Sequence, residues 1–171
     1  MIERVDPEPQ SEERTMLVEF LEWYRATLLV KAAGLTDEQA RTASVEPSIL
    51  SITGLVRHMA AVERTWFQIR FRGDDVPRLY WTDADPDGDM RVDGVSLADA
   101  LTVWEREVAF SREVLDGAHL DDVMQRPVLI DGEPEWRASM RWILIHMIEE
   151  YARHAGHLDF LRERIDGITG D

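Results

Sequence analysis

Four ionisable side chains, His146, Glu150, His154 and His157, fall within the run HMIEEYARHAGH. If that run is helical, offsets of four, eight and eleven residues place them within roughly 80° of one another, at about 100° per residue. Ile143, Met147, Leu158 and Leu161 share the stripe and are apolar, so the four polar groups occupy the side a helix turns to its core. A carboxylate and imidazoles buried there cost free energy unless something pairs with them. A bound metal ion is one partner able to satisfy all of them.

Glu150 and His154 lie one helical turn apart and can reach a single ion from the same helix. The chain has no HExxH run, so a further ligand must come from another helix. His58, in GLVRHMA, is the natural candidate, at the edge of the inward face marked by Leu55, Met59 and Val62. Two imidazoles and one carboxylate leave an ion open to water or substrate, the pattern of catalytic rather than structural zinc. Zinc, nickel and ferrous iron all accept this set. The bland reading of the same residues is a partly buried polar group in which His58 and His154 hydrogen-bond to Glu150 or to backbone. His146 and His157 read as orienting groups or substrate contacts around the ligands, or as the lining of a wet cavity.

Other metal and catalytic patterns fall short. DADPDGDMRVDG, from Asp83, mimics a calcium loop through Asp85, Asp87 and Gly88, but position twelve is Gly94 rather than a bidentate glutamate. A solvated acidic loop is the simpler expectation. A di-iron bundle needs Glu-x-x-His pairs on two helices, and neither the Glu150–His154 step nor His58 with Glu63 supplies one. No Ser-His-Asp series, phosphate-binding glycine loop or dinucleotide fingerprint is present.

The elements that must hold these residues are helices. Leu17, Leu21, Tyr24 and Leu28 mark a first helix from about Glu12 to Ala33, with Gly34 as its stop. TDEQAR reads as a short helical turn capped by Thr36. Ile52, Leu55, Met59, Val62, Trp66 and Ile69 place a second long helix over about Ser51 to Arg72. The third opens at Ser96 and runs to Gly117; the fourth spans about Ser139 to Ile165 and stops at Gly167. Four helices of about 20 residues imply an all-α fold, a four-helix bundle with long inter-helix loops. Residues 74–95 and 118–138 form those loops. Tyr80 and Trp81 favour a lid packed over the bundle, and a small hairpin around MQRPVLIDGEPEW would turn at Asp131-Gly132.

With 171 residues and 44% hydrophobic composition, residues 1–171 read as one domain with a real core. The net charge of −15 argues against nucleic acid and against an anionic membrane as partners. Lacking cysteine, the chain has no disulfide and no thiolate of its own, so sulfur chemistry needs an external thiol. The first residues, MIERVDPEPQSEER, do not read as a signal peptide, and no apolar run is long enough to span a bilayer, so a soluble, cytoplasmic protein is expected. Six tryptophans exceed what one small core readily hides, which favours a homodimer.

The stretches LEWYRATLLVKAAGLTDEQAR, SILSITGLVRHMAAVERTWF and RWILIHMIEEYARHAGHLDFLRERIDG cover most of the chain. Through them it resembles the DinB/YfiT-like metalloprotein superfamily. Within it, the chain looks most like the actinobacterial mycothiol-dependent branch, with the mycothiol S-transferases and the N-terminal-like domain of maleylpyruvate isomerase. That superfamily usually pairs one histidine on the second helix with an HxxxH pair on the last. Here Glu150 replaces the first histidine of the pair, a departure shared with the isomerase.

The resemblance implies a DinB-like bundle with His58, Glu150 and His154 as ligands of a divalent metal, zinc first, nickel or iron next. It implies mycothiol as cosubstrate and a detoxifying transferase that joins this low-molecular-weight thiol to a small electrophile through a metal-bound thiolate. Two other functions remain open: a non-catalytic DinB-like metal-binding or stress-response module, and a metal-dependent hydrolase. Glu149, about 100° off the ligand stripe, is poorly placed as that hydrolase's base.

Overall fold

A computed structural model describes residues 4–129 and 135–169. Four long helices dominate: α1 (Glu13–Ala32), α3 (Ile52–Glu63), α4 (Leu97–Asp116) and α5 (Met140–Asp166), with the short α2 (Asp37–Arg41) after the first. α3 continues directly into a π-helical stretch, Arg64–Phe71. The result is the expected all-α bundle. α1 packs chiefly on α5, and α3 chiefly on α4.

The helix starts follow local chemistry. Ser51, Ser96 and Ser139 accept from the backbone N–H groups of Gly54, Asp99 and Trp142, so each satisfies a donor that the first turn leaves free. Thr36 and Gln39 form a reciprocal capping box on α2. α5 ends at Gly167, whose φ of 76° is the left-handed conformation that a side chain disfavours.

Leu21, Leu28, Leu55, Met59, Phe67, Trp104, Ile143, Met147 and Leu158 fill the core. A charged group is buried among them. Arg25 donates to both oxygens of Glu63 at 2.8 and 2.7 Å, and the Tyr151 hydroxyl donates to Glu63 Oε1 at 2.7 Å. The Trp104 indole N–H in turn donates to Tyr151 at 2.8 Å. Glu63 is 0% exposed, so these donors are its whole environment.

The pairing changes the face that the second long helix presents. Strict periodicity puts Val62, Trp66 and Ile69 inward, yet all three are only half-buried, while Glu63 and Phe67 are buried. Bonds such as Arg72 N–H to Phe67 O, five residues back, mark the wider winding. Arg25 shows the same exchange on α1, where Tyr24 was the expected inward residue.

The loop before α4 lies against α3. Arg57 donates to the carbonyls of Arg91 (2.8 Å) and Gly88 (3.1 Å), and its guanidinium sits 4.1 Å from the centre of the Tyr80 ring. Gly88 is required by space: a Cβ there would lie 2.3 Å from the Tyr80 carbonyl oxygen. The linker before α5 forms isolated bridges, Val123 with Ser139 and Val128 with Trp136. The Asp131-Gly132 turn expected between them lies outside the described residues. Among the described residues, no helix is long and apolar enough to cross a membrane.

Candidate metal centre

α3 and α5 bring His58, Glu150 and His154 together. Donor atoms from all three lie within 4.8 Å of one another, and all three side chains are half-buried. Glu150 Oε2 is 3.5 Å from His154 Nε2 and 3.9 Å from His58 Nε2. Donors about 2.1 Å from a shared tetrahedral ion stand about 3.4 Å apart, so the set suits a divalent metal. These separations are too long for good hydrogen bonds, which run nearer 2.9 Å.

Each imidazole has a partner on its other nitrogen. His58 Nδ1 lies 2.8 Å from Asp89 Oδ2, and Asp89 is itself buried. His154 Nδ1 lies 3.2 Å from His157 Nδ1. Both rings therefore direct Nε2 toward Glu150. Asp89 is a residue that sequence reasoning missed. It sits in the calcium-like run, expected to be solvated, but that run disperses its carboxylates. Asp85 pairs with Arg91, Asp83 with Arg78, and Asp89 turns inward to His58. An acidic residue beside Gly88 in a loop with two aromatics was the available signal.

Electrostatics follow the contacts. Burial disfavours a charged His58, but the carboxylates of Asp89 and Glu150 outweigh it and raise its pKa to about 9. The imidazoles of His154 and His58 hold the Glu150 carboxyl well below its usual range. Burial, then the neighbouring charges of His154 and Arg153, lower His157. A neutral His157 is a competent acceptor for an N–H on His154.

His146 is drawn away from the other two imidazoles. It stacks on Trp142 at 4.9 Å between ring centres and meets Trp66 edge-on at 4.7 Å. Its Nε2 lies 3.7 Å from Glu150 Oε1 and its Nδ1 3.3 Å from Glu149. Two cavities open beside the cluster, of about 400 and about 210 Å³.

Against this geometry, the sequence profile of the mycothiol S-transferases matches residues 16–167. The chain belongs to the mycothiol S-transferase family. Its fold also matches a crystal structure of a conserved protein from Enterococcus faecalis, with a TM-score of 0.60 and 18% identity. That match covers 92% of this chain and 99% of the other. At such identity the likeness speaks for the fold alone. No curated protein matches the chain significantly. The family's name implies a small thiol substrate, and the His/Glu/His cluster of this S-transferase family member fits a divalent metal.

Proposed function

We propose that the protein is a metal-dependent transferase that joins a low-molecular-weight thiol, mycothiol, to a small electrophile. The observation that carries this reading is the convergence of His58, Glu150 and His154, with Asp89 and His157 behind the two imidazoles. A divalent ion bound there, zinc first among the candidates, supplies a positive charge that favours deprotonation of an incoming thiol.

The chain's own residues do the rest. Asp89 accepts from His58 Nδ1 and fixes the ring so that Nε2 points inward, as carboxylates do behind metal-bound histidines. His157 does the same for His154. His146 stands between Glu150 and Glu149 as an orienting group beside the Glu150 carboxylate. Since the chain has no cysteine, no internal thiolate competes for the site. The thiol sulfur then forms a bond to the electrophile's carbon beneath the 74–95 loop. The leaving group departs with the electrons of its own bond to that carbon, and the thiol proton passes to solvent. Glu149, poorly placed as a hydrolase's base by its position on the helix, lies against His146.

The test is product analysis by mass spectrometry with metal-loaded protein, mycothiol and an electrophile panel, each omitted in turn. A thioether adduct that needs all three components is expected. Product without thiol would replace this reading by a hydrolase; no product with any pair would leave a binding module. Elemental analysis should give about one zinc, nickel or iron per chain, lost in His58→Ala.

A further inference from the structure

His58, Pro86 and Asp89 each line both cavities at the centre, so the segment Pro86–Asp89 divides two approaches to the same histidine. The two sides differ in chemistry. The cavity of about 400 Å³ carries Asp87, Glu150, Arg153 and His154 on its wall. The one of about 210 Å³ is walled largely by Ala61, Val62, Trp66, Trp81 and Pro86. Its one carboxylate, Asp89, is committed to His58.

Both indoles of that wall sit on or beside unusual backbone. Val62 and Trp66 are core positions by periodicity, yet both remain half-buried beside the cavity. The π-helical stretch begins two residues before Trp66, and Trp66 packs 4.7 Å from His146 and 5.3 Å from Trp142. π-Helical turns inside α-helices cluster at functional sites because they re-aim side chains. Opposite, Tyr80 takes a φ of 62°, an uncommon conformation for a residue with a side chain, immediately before Trp81. The Arg78 guanidinium stacks 4.2 Å from the Trp81 ring centre.

We infer that the smaller cavity seats the electrophile and selects a flat, uncharged aromatic or conjugated molecule, while the polar cavity takes the hydroxyl-rich body of the thiol. The assignment rests on the thiol-transfer reading. Indole faces favour flat π-systems. An anionic electrophile would meet the field of a chain with net charge −15, and the Arg78 guanidinium on Trp81 is already paired with Asp83.

Bimanes test this directly, being flat and uncharged. The unreactive tetramethyl parent reports binding by quenching tryptophan fluorescence. In the monobromo derivative a sulfur–carbon bond replaces the carbon–bromine bond, bromide leaves with the electron pair, and the thiol proton passes to solvent. Trp81→Ala should weaken parent binding and raise the bimane KM, each by about tenfold, with the mycothiol KM unchanged. Trp81→Phe should restore most of the loss, and thermal unfolding of both variants checks that they fold. Arg153→Ala should raise the thiol KM and leave bimane binding intact. Parent binding indifferent to Trp66→Ala and Trp81→Ala, or iodoacetate consumed as efficiently as monobromobimane, would overturn the assignment. Trp-dependent binding without any conjugation would leave the seat standing and remove only the transfer reading.

Discussion

Asp89 Oδ2 lies 2.8 Å from His58 Nδ1, and it reaches there from a loop whose carbonyls are pinned to the residue before that histidine, Arg57. The helix that carries the proposed ligand also holds the loop that orients it. Loss of the carboxylate should therefore act on metal affinity more than on folding. Asp89→Ala is expected to weaken zinc binding by about 10- to 100-fold, and His157→Leu to do so through His154. Competition against a chelating dye measures both; unchanged affinity in both variants would contradict the orienting roles.

Gly88 gives the same relationship a steric test. A Cβ at Gly88 would meet the Tyr80 carbonyl at 2.3 Å, so Gly88→Ala must shift the loop that carries Asp89. Zinc affinity should fall, and the unfolding transition of the metal-free protein should move down as well, because the clash is with backbone and the Gly88 carbonyl is held by Arg57. Gly156→Ala is the contrast. No atom lies within 4 Å of its added Cβ, and removing a helical glycine should stabilise the protein by about 0.5–1 kcal/mol. Denaturant titration reads both.

The pH dependence has a definite sign. His58 holds its proton more tightly when folded, with its pKa raised from 6.5 to about 9. Its contribution to stability is complete below 6.5 and is lost as pH rises through 9. Glu150 is shifted down from 4.5, so its contribution is present above that value and is lost as pH falls. Metal-free protein should be most stable at about pH 5–6 and lose on the order of 2 kcal/mol by about pH 10. Metal affinity should instead climb about tenfold per pH unit up to about pH 9, because the ion competes with one proton at His58. Affinity flat above neutral pH would contradict this.

The buried Arg25–Glu63–Tyr151 group should dominate core stability. Arg25→Met leaves the buried Glu63 carboxylate without its main partner, at a cost of about 3–5 kcal/mol. Tyr151→Phe removes one donor and should cost about 1–3 kcal/mol. Urea unfolding with the slope held in common distinguishes them; equal, small losses would contradict the dominant weight of this group in the core.

The helices were legible because their signals are local. Serine caps, apolar spacing and the stops at Gly117 and Gly167 fix α4 and α5 to within a residue of the expected bounds. The convergence of His58 with Glu150 and His154 was also within reach, since one helical turn joins the latter pair and a single inward histidine remained. What stayed hidden depends on contacts distant in sequence. Glu63 is buried because Arg25, 38 residues earlier, meets it, and no periodicity announces that pairing. Asp89 was hidden among other acids of a calcium-like run, and only the loop's path over α3 singles it out.

Cobalt substitution tests the central claim most directly, because the chain has no cysteine and any thiolate–cobalt band must come from added thiol. Cobalt-loaded protein should bind about one ion per chain with tetrahedral visible absorption, and mycothiol should add a near-ultraviolet sulfur-to-cobalt charge-transfer band. His154→Ala should lose both. Stoichiometric cobalt in the wild-type protein with no new band at saturating thiol would contradict thiol activation at His58, Glu150 and His154. Stoichiometric cobalt retained by His154→Ala would remove the ligand assignment itself.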